Sequence, residues 1–180
     1  MPSQTQASRY VLSAILLLAV GCALTVKPIY AADELPKESV LPLSMASKAV
    51  QAAVEACKKD GYRVSASVVD RAGVLRTIVR ADGAGPHTIE SSVKKAYTAA
   101  SLRRPTSELA ELITKVPTLQ GLRDMNERIL ILGGGLPIEI GGEVVGGIGV
   151  GGAPGSHLDD ACAQGGLDAI GAVQKVPAAK

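Results

Sequence analysis

The sequence holds no tryptophan and no phenylalanine, and its four tyrosines are the only aromatics among 180 residues. A core built on large rings is therefore excluded, and aliphatic side chains and alanine must fill it. Only two histidines occur, so a histidine-rich metal site within one subunit is ruled out. No Glu-x-x-His, Asp-x-Asp-x-Asp or Walker sequence is present. Serine, cysteine and histidine show no spacing that marks a nucleophile with its base. Charge of one sign is lacking too. The formal excess is +2 over the whole chain, and two of the nineteen basic residues, Arg9 and Lys27, lie in the first thirty. The remainder is balanced, with no interleaving of basic and aromatic residues, so nothing marks a nucleic-acid surface.

What is present begins with an address. Arg9 precedes an apolar run from Val11 to Val26, ended by Lys27 and Pro28 and followed by Ala31 and Ala32. At about 16 residues the run is shorter than the roughly 20 that a spanning helix needs. Residues 1–31 are read as a signal peptide, with a periplasmic or extracellular product and no membrane attachment after cleavage. A lipid anchor at Cys22 is the weaker reading, because Ala19 stands where a lipobox has leucine. Residues 32–42, polar and with two prolines, read as a flexible tether, and 43–176 as one domain. Cys57 and Cys162 each fall on a predicted helix. They are compatible with a disulfide tying the first helix to the last, and equally with two buried thiols.

Periodicity predicts a helix capped by Ser44, with Ala46, Ala49, Val50, Ala53, Val54 and Cys57 inward and Gly61 ending it. Tyr62, Val64, Ala66 and Val68 alternate with Arg63, Ser65 and Ser67, a strand with one buried face. Asp70–Gly73 turns it into a second strand over Val74–Ala81. Helices follow at Thr88–Leu102 and Thr106–Thr114. Ile129–Leu132 reads as a short buried strand, and Leu136–Ile140 with Glu143–Val150 as a hairpin. A last helix is capped by Ser156 with Asp159, with Leu158, Ala161, Cys162, Gly165 and Ala169 inward. The predicted class is α+β, with a five-stranded antiparallel sheet and flanking helices.

Gly147-Ile-Gly149-Val-Gly151-Gly152 spells a G-x-G-x-x-G, but Ala153-Pro154 follows where a dinucleotide site needs a helix. A strand approached closely by another backbone or a ligand is the better reading. The densest chemistry lies in Asp82-Gly-Ala-Gly-Pro86-His87 and the helix after it. His87, on a glycine-proline loop, is a candidate metal ligand, proton shuttle or hydrogen-bond donor. Thr98 is a candidate oxygen ligand, or bonds back to its own helix. Thr106 is most simply an N-cap. Lys94, Lys95 and Arg103 are candidates for holding carboxylates, or lie on a solvated face. His157, beside Asp159 and Asp160, reads as a solvated first-turn residue. No Cys-x-x-Cys-His occurs, which excludes covalent haem attachment in its usual form.

Val68-Val-Asp70-Arg-Ala-Gly73, Asp82-Gly-Ala-Gly-Pro86, Glu90-Ser91, Lys95-Ala-Tyr97-Thr98-Ala and Pro105-Thr-Ser-Glu-Leu-Ala110 resemble the GlcG/HbpS family. So do Pro117-Thr-Leu119, Gly134-Gly-Leu-Pro137-Ile and Val145–Pro154. The likeness runs from about Leu43 to Ala172. It implies a profilin-like or PAS-like fold, homo-oligomers including octamers, and noncovalent binding of haem b, with oxidative haem degradation in some members. It also implies a threonine on iron, carried here to Thr98 with Thr106 second, and a pocket including Tyr97. Where the haem-binding type has glutamine after Gly-Ala-Gly-Pro, this chain has His87, which offers a stronger iron ligand. Other members accompany glycolate or corrinoid metabolism. The alternative reading is therefore an enzyme or binding module for a small carboxylate, with His87 as acid or base.

Overall fold

A computed structural model of the chain describes residues 35 and 37–172. The expected signal peptide, the first part of the expected tether and the last residues of the expected domain lie outside the described residues. Contacts divide the chain after Lys37, and the fold is that of the unit beginning at Glu38. The end of the tether belongs to this body. Leu41 is 1% exposed within the main core, and the Ser39 hydroxyl donates to Glu143 Oε2 at 2.9 Å.

The described elements are α1 (Leu43–Lys59), β1 (Ser65–Asp70), β2 (Leu75–Arg80), α2 (His87–Leu102), α3 (Thr106–Lys115), a 3₁₀ helix (Pro117–Arg123), β3 (Gly135–Ile140), β4 (Glu143–Gly151) and α4 (Ser156–Ile170). Among the described residues the sheet has four strands in the order β2-β1-β4-β3, every pair antiparallel, so the class is α+β. The expected fifth strand, Ile129–Leu132, is not one. Ile129 and Ile131 are buried against Leu109 and Ile113 of α3, while the Leu130 N–H goes to the Thr98 hydroxyl and not to a ladder. Burial of alternate residues here comes from a loop crossing a helix, which mimics the period of a strand.

The helices cover both faces. Ala66 and Val68 of β1, Ile148 and Val150 of β4, and Leu136 and Ile138 of β3 meet the inward stripe of α1 (Ala46 to Cys57) and Cys162, Ala163 and Leu167 of α4. The α1 stripe is the one its periodicity predicts, but the helix starts at Leu43 after Pro42, and Ser44 makes no cap. The stripe of α4 is turned by one residue from the expected one. Asp159, Cys162, Ala163, Gly166 and Leu167 are the buried positions, and Ser156 makes no cap. Cys57 and Cys162 form a disulfide joining α1 to α4, with Cα atoms 5.3 Å apart.

The opposite face of β1 is buried as well, under α2. Ser65 and Ser67, expected at a solvent face, meet Thr88 and Ser92 at 2.7 Å each. Thr88 and Ser92 spend their own protons on the Gly85 and Ile89 carbonyls, so the β1 serines are the donors. Gly147, Gly149 and Gly151 present this same face along β4. A Cβ on Gly149 would lie 2.1 Å from the Ser92 carbonyl oxygen, and one on Gly147 2.3 Å from that of Ala96. The glycine run is thus a bed for a helix backbone, in line with the close-approach reading.

Candidate functional site

The Asp82–Gly85 loop is held from both sides. Arg80 Nε donates to the Ala84 carbonyl at 2.9 Å, and its terminal nitrogen reaches the same oxygen. The Thr88 hydroxyl donates to the Gly85 carbonyl at 2.6 Å. Gly83 takes φ +77, in the left-handed region that glycine adopts at no steric cost. The loop therefore delivers His87 as the first residue of α2, exposed to solvent. Its ring folds back over Gly85, where a Cβ would lie 2.6 Å from it.

Along α2 the buried positions are Thr88, Ser92, Lys95, Ala96, Thr98, Ala99 and Ala100. His87, Glu90, Lys94 and Tyr97, spaced at three and four residues, share the other side. A surface groove of about 370 Å³ runs here, lined by Ile89, Glu90, Val93, Lys94, Glu127 and Arg128. Tyr97 forms its support. Its ring lies against Gly73, which at φ +75 has no Cβ to collide with it, and the Arg128 guanidinium stacks on it with 3.8 Å to the centroid. Arg128 also donates to the Gly73 carbonyl. No salt bridge ties Lys94 or Arg128 to Glu90 or Glu127. The groove thus sets two apolar side chains, Ile89 and Val93, beside two cations outside any ion pair, Lys94 and Arg128, and the carboxylates Glu90 and Glu127. Such a surface suits a ligand with an apolar body and an anionic edge.

Four sequence candidates are placed elsewhere. Thr98 is fully buried, donates to the Lys94 carbonyl at 2.8 Å and accepts from Leu130 N–H at 2.8 Å. Its hydroxyl is spent on holding the Ile129–Leu132 loop, the local bonding that threonine in a helix usually makes. Thr106 is not an N-cap: Pro105 takes that position, and the Thr106 hydroxyl accepts from Gly135 N–H at 2.8 Å. Lys95 turns inward, away from any ligand-facing surface. Its Nζ lies 2.7 Å from Asp159 Oδ2 and 2.9 Å from the Val150 carbonyl, with both side chains no more than 5% exposed. Arg103 is exposed in the left-handed region at φ 53, ending α2. A helical rise of about 1.5 Å per residue sets it about 24 Å from His87, too far to share one small ligand in one subunit.

The structure brings together Lys94 and Tyr97, leaves His87 one turn outside the groove, and adds Arg128, Glu127, Ile89 and Val93. Arg128 had no local signal, because it reaches Tyr97 and Gly73 from a stretch without periodicity, 55 residues away from the latter. Burial raises the Asp159 carboxyl above its ordinary 3.8. The nearby Lys95 charge and hydrogen bond and the Ala153 N–H oppose that shift, while Asp160 adds to it. His157 is exposed at the start of α4, as expected for a solvated residue. Among the described residues no group of three or more His, Cys, Asp or Glu side chains could hold a metal ion, and no helix is long and apolar enough to cross a membrane.

Comparison with known proteins agrees with this frame. Residues 41–168 match the family model described as haem degrading protein HbpS-like. A crystal structure of a Streptomyces reticuli HbpS double mutant superposes with a TM-score of 0.71 at 44% identity, covering 78% of this chain and 94% of that one. The structure of a PduOC–heme complex superposes with a TM-score of 0.70 at 27% identity, covering 75% and 98%. Protein GlcG of Escherichia coli K12 is 32% identical over 111 residues, 62% of this chain and 81% of the relative.

Proposed function

The chain belongs to the HbpS-like family, and on that premise we propose that it binds haem noncovalently against the exposed side of α2. The observation that carries the reading is the groove itself: Ile89 and Val93 lie together with the cations Lys94 and Arg128, neither in an ion pair, and Arg128 is stacked on Tyr97. Ile89 and Val93 would give the macrocycle apolar contact, and Lys94 and Arg128 would hold the propionates. His87, on the same side of the helix, offers its imidazole to iron. Haem of the b type suits a chain without a covalent attachment motif. When bound, it supplies redox and ligand-exchange chemistry that the protein's own side chains lack.

Further features support the wider reading. PduOC, which shares the fold, was solved as a heme complex. The groove is open and about 370 Å³, near the low end for ligand pockets, so a second copy of the chain closes it over a large flat ligand. This fits the homo-oligomers, octamers among them, that the resemblance implies. The Cys57–Cys162 disulfide suits export to the periplasm or beyond, where such bonds persist. In this reading the framework is profilin-like or PAS-like, and the exported protein sequesters, senses or slowly degrades haem.

Titration of the protein with hemin tests the proposal. A saturable Soret shift is expected. Lys94→Ala and Arg128→Ala should each weaken binding about tenfold, the worth of a charge-assisted hydrogen bond. His87→Ala should alter the spectrum of the bound ferric form. A titration without saturation, or one indifferent to Lys94, Arg128 and His87 together, overturns the assignment. A flat hemin titration alongside a rise in melting temperature with glycolate favours a small-carboxylate ligand in the same groove.

A further inference from the structure

A second cavity, of about 380 Å³, opens between the last turn of α1 and the segment after β2. Lys58, Tyr62, Arg63, Arg80 and Asp82 are among its lining residues, and it shares none with the groove on α2. One of its guanidinium groups is held in position before any ligand arrives. Arg80 is fixed by its bonds to the Ala84 carbonyl. Arg63 lies over Gly83, where a Cβ would come within 3.1 Å of both its Cδ and a terminal nitrogen. Arg63 nevertheless makes no hydrogen bond or ion pair with a described residue, although the Ala81 N–H to Val64 carbonyl bond sets Asp82 near it on the neighbouring segment.

The opposing charges are largely accounted for. Glu55 pairs with Lys58 at 3.5 Å. The negative end of α1 is capped, since the Cys57 and Lys58 carbonyls already accept the N–H groups of Asp60, Gly61 and Tyr62. With Lys58 given to Glu55, the two guanidinium groups of Arg63 and Arg80 face one acid, Asp82. Arg80 is oriented by its bonds to the Ala84 carbonyl, Arg63 beside it keeps its donors unsatisfied, and planar guanidinium groups match the geometry of a carboxylate or phosphate. We propose that this cavity is a second ligand site, taking a small oxyanion of the carboxylate or phosphate class on Arg63 and Arg80.

Calorimetric titration of the protein with inorganic phosphate and, separately, with malonate at low ionic strength tests this. Saturable binding of either probe is expected, with the tighter one naming the class. Arg63→Ala should weaken it about tenfold or more, and Arg63→Lys, which keeps charge without the fork, should weaken it less. Failure of both probes to saturate, or binding that ignores Arg63→Ala, overturns the proposal. Because Arg63 is exposed, its replacement should leave melting and the hemin titration unchanged. Loss of hemin binding in that variant would instead refute the independence of the two sites.

Discussion

Lys95 and Asp159 meet where water scarcely reaches, 2.7 Å apart, and between them they hold three segments together. Lys95 also grips the end of β4 through the Val150 carbonyl, Asp159 receives the Ala153 N–H at 3.0 Å, and the adjacent Asp160 receives the Gly134 N–H at 2.6 Å. Desolvation still wins at Asp159, whose carboxyl titrates above 3.8. A raised acid binds its proton more readily folded than unfolded. Its contribution to stability is thus complete below 3.8 and falls as pH rises through the folded value. Lys95→Met removes the largest influence opposing that shift and leaves a buried carboxylate without its counter-charge. Urea denaturation at pH 7 should show a loss of about 3–5 kcal/mol. The loss should shrink as pH falls toward 4, since the lone carboxyl can then be neutral. A penalty that is constant with pH would show that packing of the lysine stem, and not its charge, is what matters.

At the scale of elements, legibility followed whether local pattern and burial had the same cause. The α1 stripe was readable because one helix meets one sheet face, so helical spacing and burial coincide. Asp159 broke that rule in α4: a buried partner 64 residues away draws the carboxylate inward and turns the apolar stripe by one residue. Ser65 and Ser67 broke it in β1, where hydroxyl pairs with α2 substitute for apolar contact. The site divides in the same way. His87, Lys94 and Tyr97 lie on one readable helix, whereas Arg128 arrives through tertiary contact alone. The glycines of β4 were legible as a close approach, and they carry a prediction. Gly149→Ala places a methyl 2.1 Å from the Ser92 carbonyl oxygen and must push α2 off the sheet. Overpacking of this kind costs about 3 kcal/mol, and backbone on the far side leaves little room to relax. Gly121→Ala meets nothing within 4 Å and serves as the neutral control. Because α2 carries the groove, Gly149→Ala should weaken hemin binding as well as lower the melting point. A variant as stable as the Gly121 control would contradict the tight seating of α2.

Over the molecule as a whole, the covalent link between α1 and α4 spans 105 residues and encloses all four strands, α2 and α3. Alanine, glycine and valine dominate the α1–α4 contact: Gly166 lies under the Ala49 carbonyl and Ala53, and Gly165 beside Ala56. Small side chains allow the two helices to come close, but each buries little apolar area, so this layer gains less from burial than one built on leucine or phenylalanine. The disulfide offsets that shortage by restricting the unfolded chain. For a closed loop of about 100 residues the restriction is worth about 4–5 kcal/mol. In a domain of this size that corresponds to roughly 10–20 °C in melting temperature. Thermal melts with and without a thiol reductant, and of Cys57→Ser with Cys162→Ser, should therefore differ from the oxidised protein by this amount. Both sulfurs are buried, so reduction should also be slow until the protein opens. Coincident melts for the oxidised, reduced and double-serine forms would show that the small-residue contact holds α1 to α4 unaided.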